Sequence, residues 1–387
     1  MTAVMTEREA LVDSVRAFAQ RHLASGALER AHDPAYSWDI ARLLGAQDLL
    51  GLTIAEKDGG QGATLADAVA VIKEVAQFCP KSADILQAGN FGAIRTFAEF
   101  GTEEQKAKYL PDLLSGNALI SLGMSEPEAG SAATELQTSV TEDGDGYRLN
   151  GTKIWGTHSV DATLFLVYVR FGPGTRNIGS VLVERGAEGF TLGQPSNYMS
   201  GEQWCQLYFD DVWVPRENVL LGPGGFKKQM SGFNVERIGN ASRALALGRL
   251  AFDTARAHVS ERTQFGRTLN EFQGLQWKFA EVAVALDGAE LLLDRAVTNA
   301  AAGLPSAYET SVAKLAANEA GFLAANEAMQ AMGALGYSQE SLVEYCMRRT
   351  RGWMIAGGSL EMLKNRIAEE VFDRKFSQRA PRPEAAR

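Results

Sequence analysis

Thr163-Leu-Phe-Leu-Val-Tyr-Val-Arg170 is the clearest strand in the chain, a nearly continuous run of apolar residues. It ends in Phe171-Gly-Pro-Gly174, a turn. Around it, short β-rich runs alternate with turn signals. Upstream come 137–140, the turn Asp143-Gly-Asp-Gly146 and 147–149; downstream come 180–184, 190–192 and 206–209. This texture begins near residue 120. It fades around Val219, before the Gly- and Pro-rich Leu221-Gly-Pro-Gly-Gly225. Residues 121–225 therefore read as a β domain, a small barrel or sandwich.

Both flanks read as helix. In residues 1–120, Thr6-Glu-Arg-Glu9 has the capping-box pattern, a hydroxyl followed three residues on by a carboxylate. Leu11, Val15, Phe18 and Ala19 then recur at helical spacing. Similar patterns cover 40–50, 65–78, 83–100 and 103–114. The glycine-rich Glu56-Lys-Asp-Gly-Gly-Gln-Gly62 lacks the Lys-Ser/Thr of a phosphate loop and reads as a connector. Residues 226–375 carry long amphipathic segments, above all 241–262 and 311–332. Helices of that length pack as antiparallel bundles. The polar, Pro-rich residues 376–387 read as a disordered tail. No internal repeat is visible.

Composition narrows the function. The 387 residues suit two or three domains, at roughly 100–200 residues each. Apolar residues make up 45% and charged residues 22%, a globular composition. Against 38 Lys and Arg stand 47 Asp and Glu, and the net charge of -9 weighs against nucleic acid as a partner. The three cysteines, Cys79, Cys205 and Cys346, form no CxxC pair. The four histidines, His22, His32, His158 and His258, form no HExxH, so no metal site is expected. No apolar run reaches about 18 residues, so no membrane insertion is expected. The N-terminus shows no secretory or transit pattern, and the expected location is cytoplasmic.

Four segments carry chemistry. Leu122-Gly-Met-Ser-Glu-Pro-Glu-Ala-Gly-Ser131 is a tight loop of small residues whose amides and hydroxyls can approach a ligand. In Gly151-Thr-Lys-Ile-Trp-Gly-Thr157, Trp155 and Thr157 would share one side if the segment is a strand, a ring to cover a planar group and a hydroxyl to bond it. Glu261-Arg-Thr-Gln-Phe-Gly-Arg-Thr-Leu-Asn-Glu-Phe-Gln273 offers Arg262 to a phosphate. Gly352-Trp-Met-Ile-Ala-Gly-Gly-Ser-Leu-Glu361 ends on a helix start suited to an anion or carbonyl. Singly, these also suit a plain turn, a half-buried Trp or a surface Arg.

Together, over nearly the whole chain, they resemble the acyl-CoA dehydrogenase family. The matching motifs are Ser125-Glu-Pro-Glu-Ala-Gly-Ser131, Trp155-Gly-Thr157, Arg262-Thr-Gln-Phe-Gly266 with Phe272-Gln273, Gln330-Ala-Met-Gly-Ala-Leu-Gly-Tyr337, and Gly358-Ser-Leu-Glu361 with Ile367-Ala368. The resemblance implies an α+β multidomain fold: an N-terminal helical domain, a middle β domain and a C-terminal four-helix bundle. It implies FAD as cofactor. Leu122, Met124, Ser125, Gly130 and Ser131 would hold the flavin edge and pyrophosphate. Trp155 would shield the ring, with Thr157 near N5. Arg262, Phe265, Gln273, Gln330 and Gly333 would reach the FAD of a neighbouring subunit, implying a homotetramer or at least a dimer. Ser359 and Glu361 complete the cofactor set. The implied partners are an acyl-CoA and an electron-transfer flavoprotein.

One departure concerns the base. The family's reaction takes an α-proton from a thioester while a hydride leaves the β-carbon. Most members carry a Glu where this chain has Gly357, and glycine takes no proton. Its N–H survives, and in the family that amide bonds the thioester oxygen. A minority, including isovaleryl-type enzymes, place the base on the first long helix of the last domain. There this chain reads Phe233-Asn-Val-Glu-Arg237. Glu236 thus matches the alternative base, and an apolar cleft would raise its pKa. Asn234, Arg237, Ser131, Gly357 and Gly358 match substrate-contacting positions. Ala356 and Gly357 leave volume for a branched, cyclic or bulky acyl group. Asp84 and Gln87, on a helix bordering the acyl pocket, suit a polar or cationic one, or else a solvated face. Two alternatives stay open: an oxygen-dependent oxidase, monooxygenase or desulfinase on the same scaffold, and a non-catalytic flavin-bearing binding protein.

Overall fold

The computed structural model describes residues 6–301 and 303–377. Residues 378–387 of the expected tail lie outside the described residues. The chain runs helical, then β, then helical.

The decisive strand is Leu164–Arg170. It pairs antiparallel with Ile178–Glu184 and parallel with Ile120–Gly123. These strands belong to one eight-stranded sheet with Ser139–Asp143, Gly146–Lys153, Phe190–Leu192, Leu207–Pro215 and Val219–Leu221. Successive side chains on a strand point to opposite faces, and here both faces are covered. Phe165, Val167 and Val169 enter the core of the β region with Leu149, Val183 and Leu207. Leu164 and Leu166 pack on Ile94, Phe97 and Leu110 of the N-terminal helices. That double burial explains a run that is apolar without alternation.

The N-terminal capping box forms as expected. The Glu9 amide donates to Thr6 Oγ1 at 3.2 Å, and the Thr6 amide to Glu9 Oε2 at 2.7 Å. Helices Leu65–Phe78 and Glu103–Leu114 match the periodicity. The expected helix over 83–100 is instead two, Pro80–Asn90 and Ala93–Phe100. The break falls at Gly92, whose ψ of -142° is not helical. The helix expected over 40–50 is Trp38–Gly45.

The C-terminal region is built on Phe226–Glu261, which is 36 residues long. Only its second half shows amphipathic spacing, because its first half buries Gly232, Asn234, Gly239 and Asn240 among apolar neighbours. Helix Ala307–Met332 packs against it and against Gln273–Ala300, Leu342–Trp353 and Leu360–Val371. Ala307–Met332 and Phe226–Glu261 approach through glycine: a Cβ on Gly321 would stand 2.2 Å from the Ala244 carbonyl oxygen. Gly321→Ala is therefore expected to lower stability by about 1–3 kcal/mol, the usual range for overpacking. Chemical denaturation with an unchanged m-value would read it.

Candidate active site

A buried ion cluster ties the three regions together. Asp84, on Pro80–Asn90, pairs with Arg243 of the long helix and with Arg349 of Leu342–Trp353, the latter at 2.8 Å. Tyr345 donates its hydroxyl to Asp84 at 3.2 Å. Arg349 also pairs with Glu202, from the β region. Both guanidinium groups lie over the indole of Trp353, Arg243 at 4.3 Å and Arg349 at 4.8 Å from the ring. Burial pushes the Asp84 carboxyl up, but Arg243 and Arg349 outweigh it and its pKa ends lowered. Burial wins at Glu202, whose pKa is raised. Asp84 is thus neither on a solvated face nor free to take a cationic acyl group, because two arginines already occupy it.

One turn along the same helix, Gln87 donates through Nε2 to Glu236 Oε1 at 2.6 Å. Gln87 is buried, and its Oε1 has no partner among the described residues. The other carboxylate oxygen of Glu236, Oε2, faces Gly92, where a Cβ would stand 3.4 Å away. The helix break at Gly92 thus falls beside this carboxylate. Glu236 is half-buried. Burial raises its pKa, and Arg243, the Gln87 hydrogen bond and Lys314 offset part of the rise.

The expected substrate residues of the C-terminal region converge here. Arg237 donates through Nε to the Gly357 carbonyl at 3.0 Å and through Nη1 to Asn234 Oδ1 at 3.1 Å. Gly358, with φ of +89°, approaches the Arg237 guanidinium, since a Cβ there would meet Nη2 at 3.1 Å. Periodicity gave no sign of Lys314, which also meets this turn. Its Nζ donates to the Trp353 and Gly358 carbonyls.

The Leu122–Ser131 loop and the Trp155 segment also meet, by a route the sequence did not suggest. The strand ends at Lys153, so Trp155 and Thr157 lie beyond it, and Trp155 has φ of +60°. Strand alternation therefore does not set where their side chains lie. The loops are joined by a bond from the Ile154 amide to the Ser125 carbonyl at 2.9 Å and one from Ser121 Oγ to the Thr157 carbonyl at 2.8 Å. Beneath them Lys153 and Glu126, both buried, pair at 2.7 Å. Lys153 falls to about 8 through burial, against the pull of Glu126.

These surfaces suit a flat cofactor. Trp155 is 54% exposed, yet its ring lies 4.1 Å from that of Trp204. The two rings are tilted by 45°, and Trp155 keeps an exposed aromatic surface. Leu122, Met124 and Ser125 are half-buried beside it, while Gly130, Ser131 and Thr157 are exposed. A Cβ at Gly130 would meet nothing within 4 Å, which leaves room for a ligand. Arg262 lies about 39 Å along the helix from Glu236, at 1.5 Å per residue. It opens the hairpin Thr263–Gln264 to Arg267–Thr268, whose tip residue Phe265 is 94% exposed at φ +52°. Gln273 starts the next helix, and Gln330 and Gly333 lie exposed at the end of Ala307–Met332. Ser359 caps Leu360–Val371, with Glu361 exposed in its first turn. Among the described residues, no group of three or more His, Cys, Asp or Glu side chains could hold a metal ion. No described helix is long and apolar enough to cross a membrane.

Three family models match the chain: the N-terminal domain of acyl-CoA dehydrogenase over residues 5–117, the middle domain over 121–212 and the C-terminal domain over 223–372. A 3-sulfinopropanoyl-CoA desulfinase of Paraburkholderia xenovorans is 33% identical, over 95% of this chain and 97% of its own. A short-chain specific acyl-CoA dehydrogenase of Clostridium acetobutylicum is 32% identical, over 95% and 98%. The structure of butyryl-CoA dehydrogenase from Megasphaera elsdenii superposes with a TM-score of 0.89 at 30% identity, covering 96% of this chain and 100% of that one.

Removing the shared carboxylate of the ion cluster leaves two buried guanidinium groups short of a counter-ion. Asp84→Asn is expected to cost about 3–5 kcal/mol, as for other broken buried pairs. Arg8→Ala, which breaks an exposed pair with Asp67, is expected to cost under about 1 kcal/mol. Parallel thermal melts of the two variants check the contrast.

Proposed function

The chain belongs to the acyl-CoA dehydrogenase family, whose members are FAD-dependent oxidoreductases, and we propose that it desaturates an acyl-CoA between its α- and β-carbons with Glu236 as the base. FAD, when bound, supplies the acceptor for the hydride that leaves the β-carbon. The loop residues Leu122, Met124, Ser125, Gly130 and Ser131, with Trp155 and Thr157, would hold its flavin end. Ser359 and Glu361 would complete the site. Arg262, Phe265, Gln273, Gln330 and Gly333 would hold the far half of a second subunit's FAD, in a homotetramer.

The observation that carries this reading is the environment of Glu236. A base for an α-proton works best with a pKa lifted towards working pH. Burial raises that of Glu236, and Gln87 fixes one of its oxygens while leaving the other open towards Gly92. The Gly357 amide would hold the thioester oxygen, with Arg237 bracing the turn through the Gly357 carbonyl. Glu236 would take the α-proton as the β-hydride leaves for the acceptor that FAD supplies, and the product would be an enoyl-CoA. The final electron acceptor would be an electron-transfer flavoprotein, and the location the cytoplasm. A branched, cyclic or polar acyl group fits the small residues Ala356 and Gly357 and the unpartnered Gln87 Oε1.

The desulfinase relative favours a second reading, sulfinate loss from a sulfinylated acyl-CoA, which needs no base at 236. Anaerobic flavin bleaching by an acyl-CoA panel separates the two. Glu236→Gln is expected to slow bleaching by about 10²–10⁴-fold. In the wild type the rate should fall with decreasing pH, as Glu236 takes up a proton above the ordinary carboxylate range. Release of sulfite from 3-sulfinopropanoyl-CoA without bleaching, unchanged in Glu236→Gln, would favour the second reading.

A further inference from the structure

Lys314 has no part in the reaction as derived above, yet it lies directly behind the Gly357–Gly358 turn. It stands on helix Ala307–Met332 and has 0% exposure. A buried ammonium is costly unless its donors are met. Nζ donates to the Trp353 carbonyl at 3.0 Å and to the Gly358 carbonyl at 3.1 Å, one on each side of Gly357 in sequence. Arg237 takes the Gly357 carbonyl between them. Two cations therefore hold three carbonyls around one amide.

Space is equally specific. A Cβ at Gly357 would stand 3.3 Å from Lys314 Cε and 3.5 Å from Asn240 Nδ2, and Gly357 has φ of +73°. The ground a side chain at 357 would occupy is bounded by this lysine. Among the described residues, the carboxylate acting on Lys314 is Glu236 of the facing helix.

We propose that Lys314 is a positioning residue for the acyl-CoA reaction: it pins the Gly357 turn and sets a positive charge behind the amide that receives the thioester oxygen. It thereby favours the enolate that forms as the α-proton leaves. This rests on the reading of Gly357 and Glu236 given above.

The charged groups acting on Lys314 are Arg237 and Glu236, both on Phe226–Glu261. From Leu342–Trp353 and the turn after it, the groups bonded to Lys314 are the carbonyls of Trp353 and Gly358. Burial, then Arg237, push Lys314 down to about 7, and Glu236 pulls it up. The lysine is charged below that pH and loses its charge as pH rises through it. Glu236 must be deprotonated and Lys314 protonated, so the rate should be bell-shaped in pH.

The test uses FAD-loaded wild type, Lys314→Met and Lys314→Arg. Anaerobic flavin reduction is followed across pH with the best acyl-CoA of the panel. A second readout is the long-wavelength absorbance that appears when acetoacetyl-CoA binds as its enolate. Lys314→Met should lower the reduction rate by about tenfold or more, the effect of one pKa unit on the bound α-proton, with little change in KM. It should also lose the alkaline limb and show less enolate at a given pH. Lys314→Arg should recover most of the rate and move the alkaline limb upward. A Met variant with wild-type rate, profile and enolate absorbance would overturn the proposal while leaving the dehydrogenation reading intact. If that variant fails to fold, the absence of an alkaline limb in the wild type, or its persistence unmoved in Lys314→Arg, overturns it. A wild type that neither bleaches nor forms enolate with any acyl-CoA sinks the underlying reading, and this one with it.

Discussion

A single buried carboxylate, Asp84, sets the relation of the three regions. It draws in Arg243 from one C-terminal helix and Arg349 from another, and Arg349 carries Glu202 of the β region with it. A charge this deep tolerates little displacement, because an unpaired ion in a low-dielectric interior costs several kcal/mol. The cluster need not add net stability to do this. Its geometric demand is what matters: four charges and the Trp353 indole find partners only when helix Pro80–Asn90, the long helix and Leu342–Trp353 meet in one arrangement.

Both halves of the site hang from that arrangement. Gln87 lies one turn from Asp84, and one turn is the spacing that puts two side chains on the same helix face. Fixing Asp84 therefore fixes Gln87, and through it one oxygen of Glu236. On the other side, Trp353 lies under the two arginines, and its carbonyl accepts from Lys314, which in turn reaches Gly358. The carboxylate and the turn that faces it are thus referred to the same buried charge.

The sequence pattern revealed the order of the regions because their periodicities differ: apolar run and turns between residues 121 and 225, helical spacing on either side. Residues 163–170 were legible as a strand, since burial on both faces leaves no polar alternation. The first half of Phe226–Glu261 was not, because its contacts are made by glycine, asparagine and other small or polar residues that carry no hydrophobic period. Glu236, Arg237, Asn234 and Gly357 were legible by resemblance alone, and they do converge. The placement of Trp155 and Thr157 was expected from strand alternation but arises from a loop with a left-handed residue. Lys314 carries no sequence signal, and neither does the pairing of Lys153 with Glu126 inside their motifs. A lone charged residue in a helical or β pattern reads as surface, and only the fold shows that its partner is buried with it.

The lysine also bears on why the carboxylate stands at 236. A Cβ at 357 would come within 3.3 Å of Lys314 Cε, so a side chain there would share the space this lysine bounds. A carboxylate brought beside an ammonium is favoured in its charged form at a lowered pKa, which weakens it as a base for a thioester's α-proton. At 236 the carboxylate approaches from the opposite helix. It takes one neutral donor from Gln87 and keeps a raised pKa, while Lys314 acts on it only as a lesser influence behind burial, Arg243 and Gln87. Glycine at 357 and lysine at 314 are thus compatible with each other and with a base at 236.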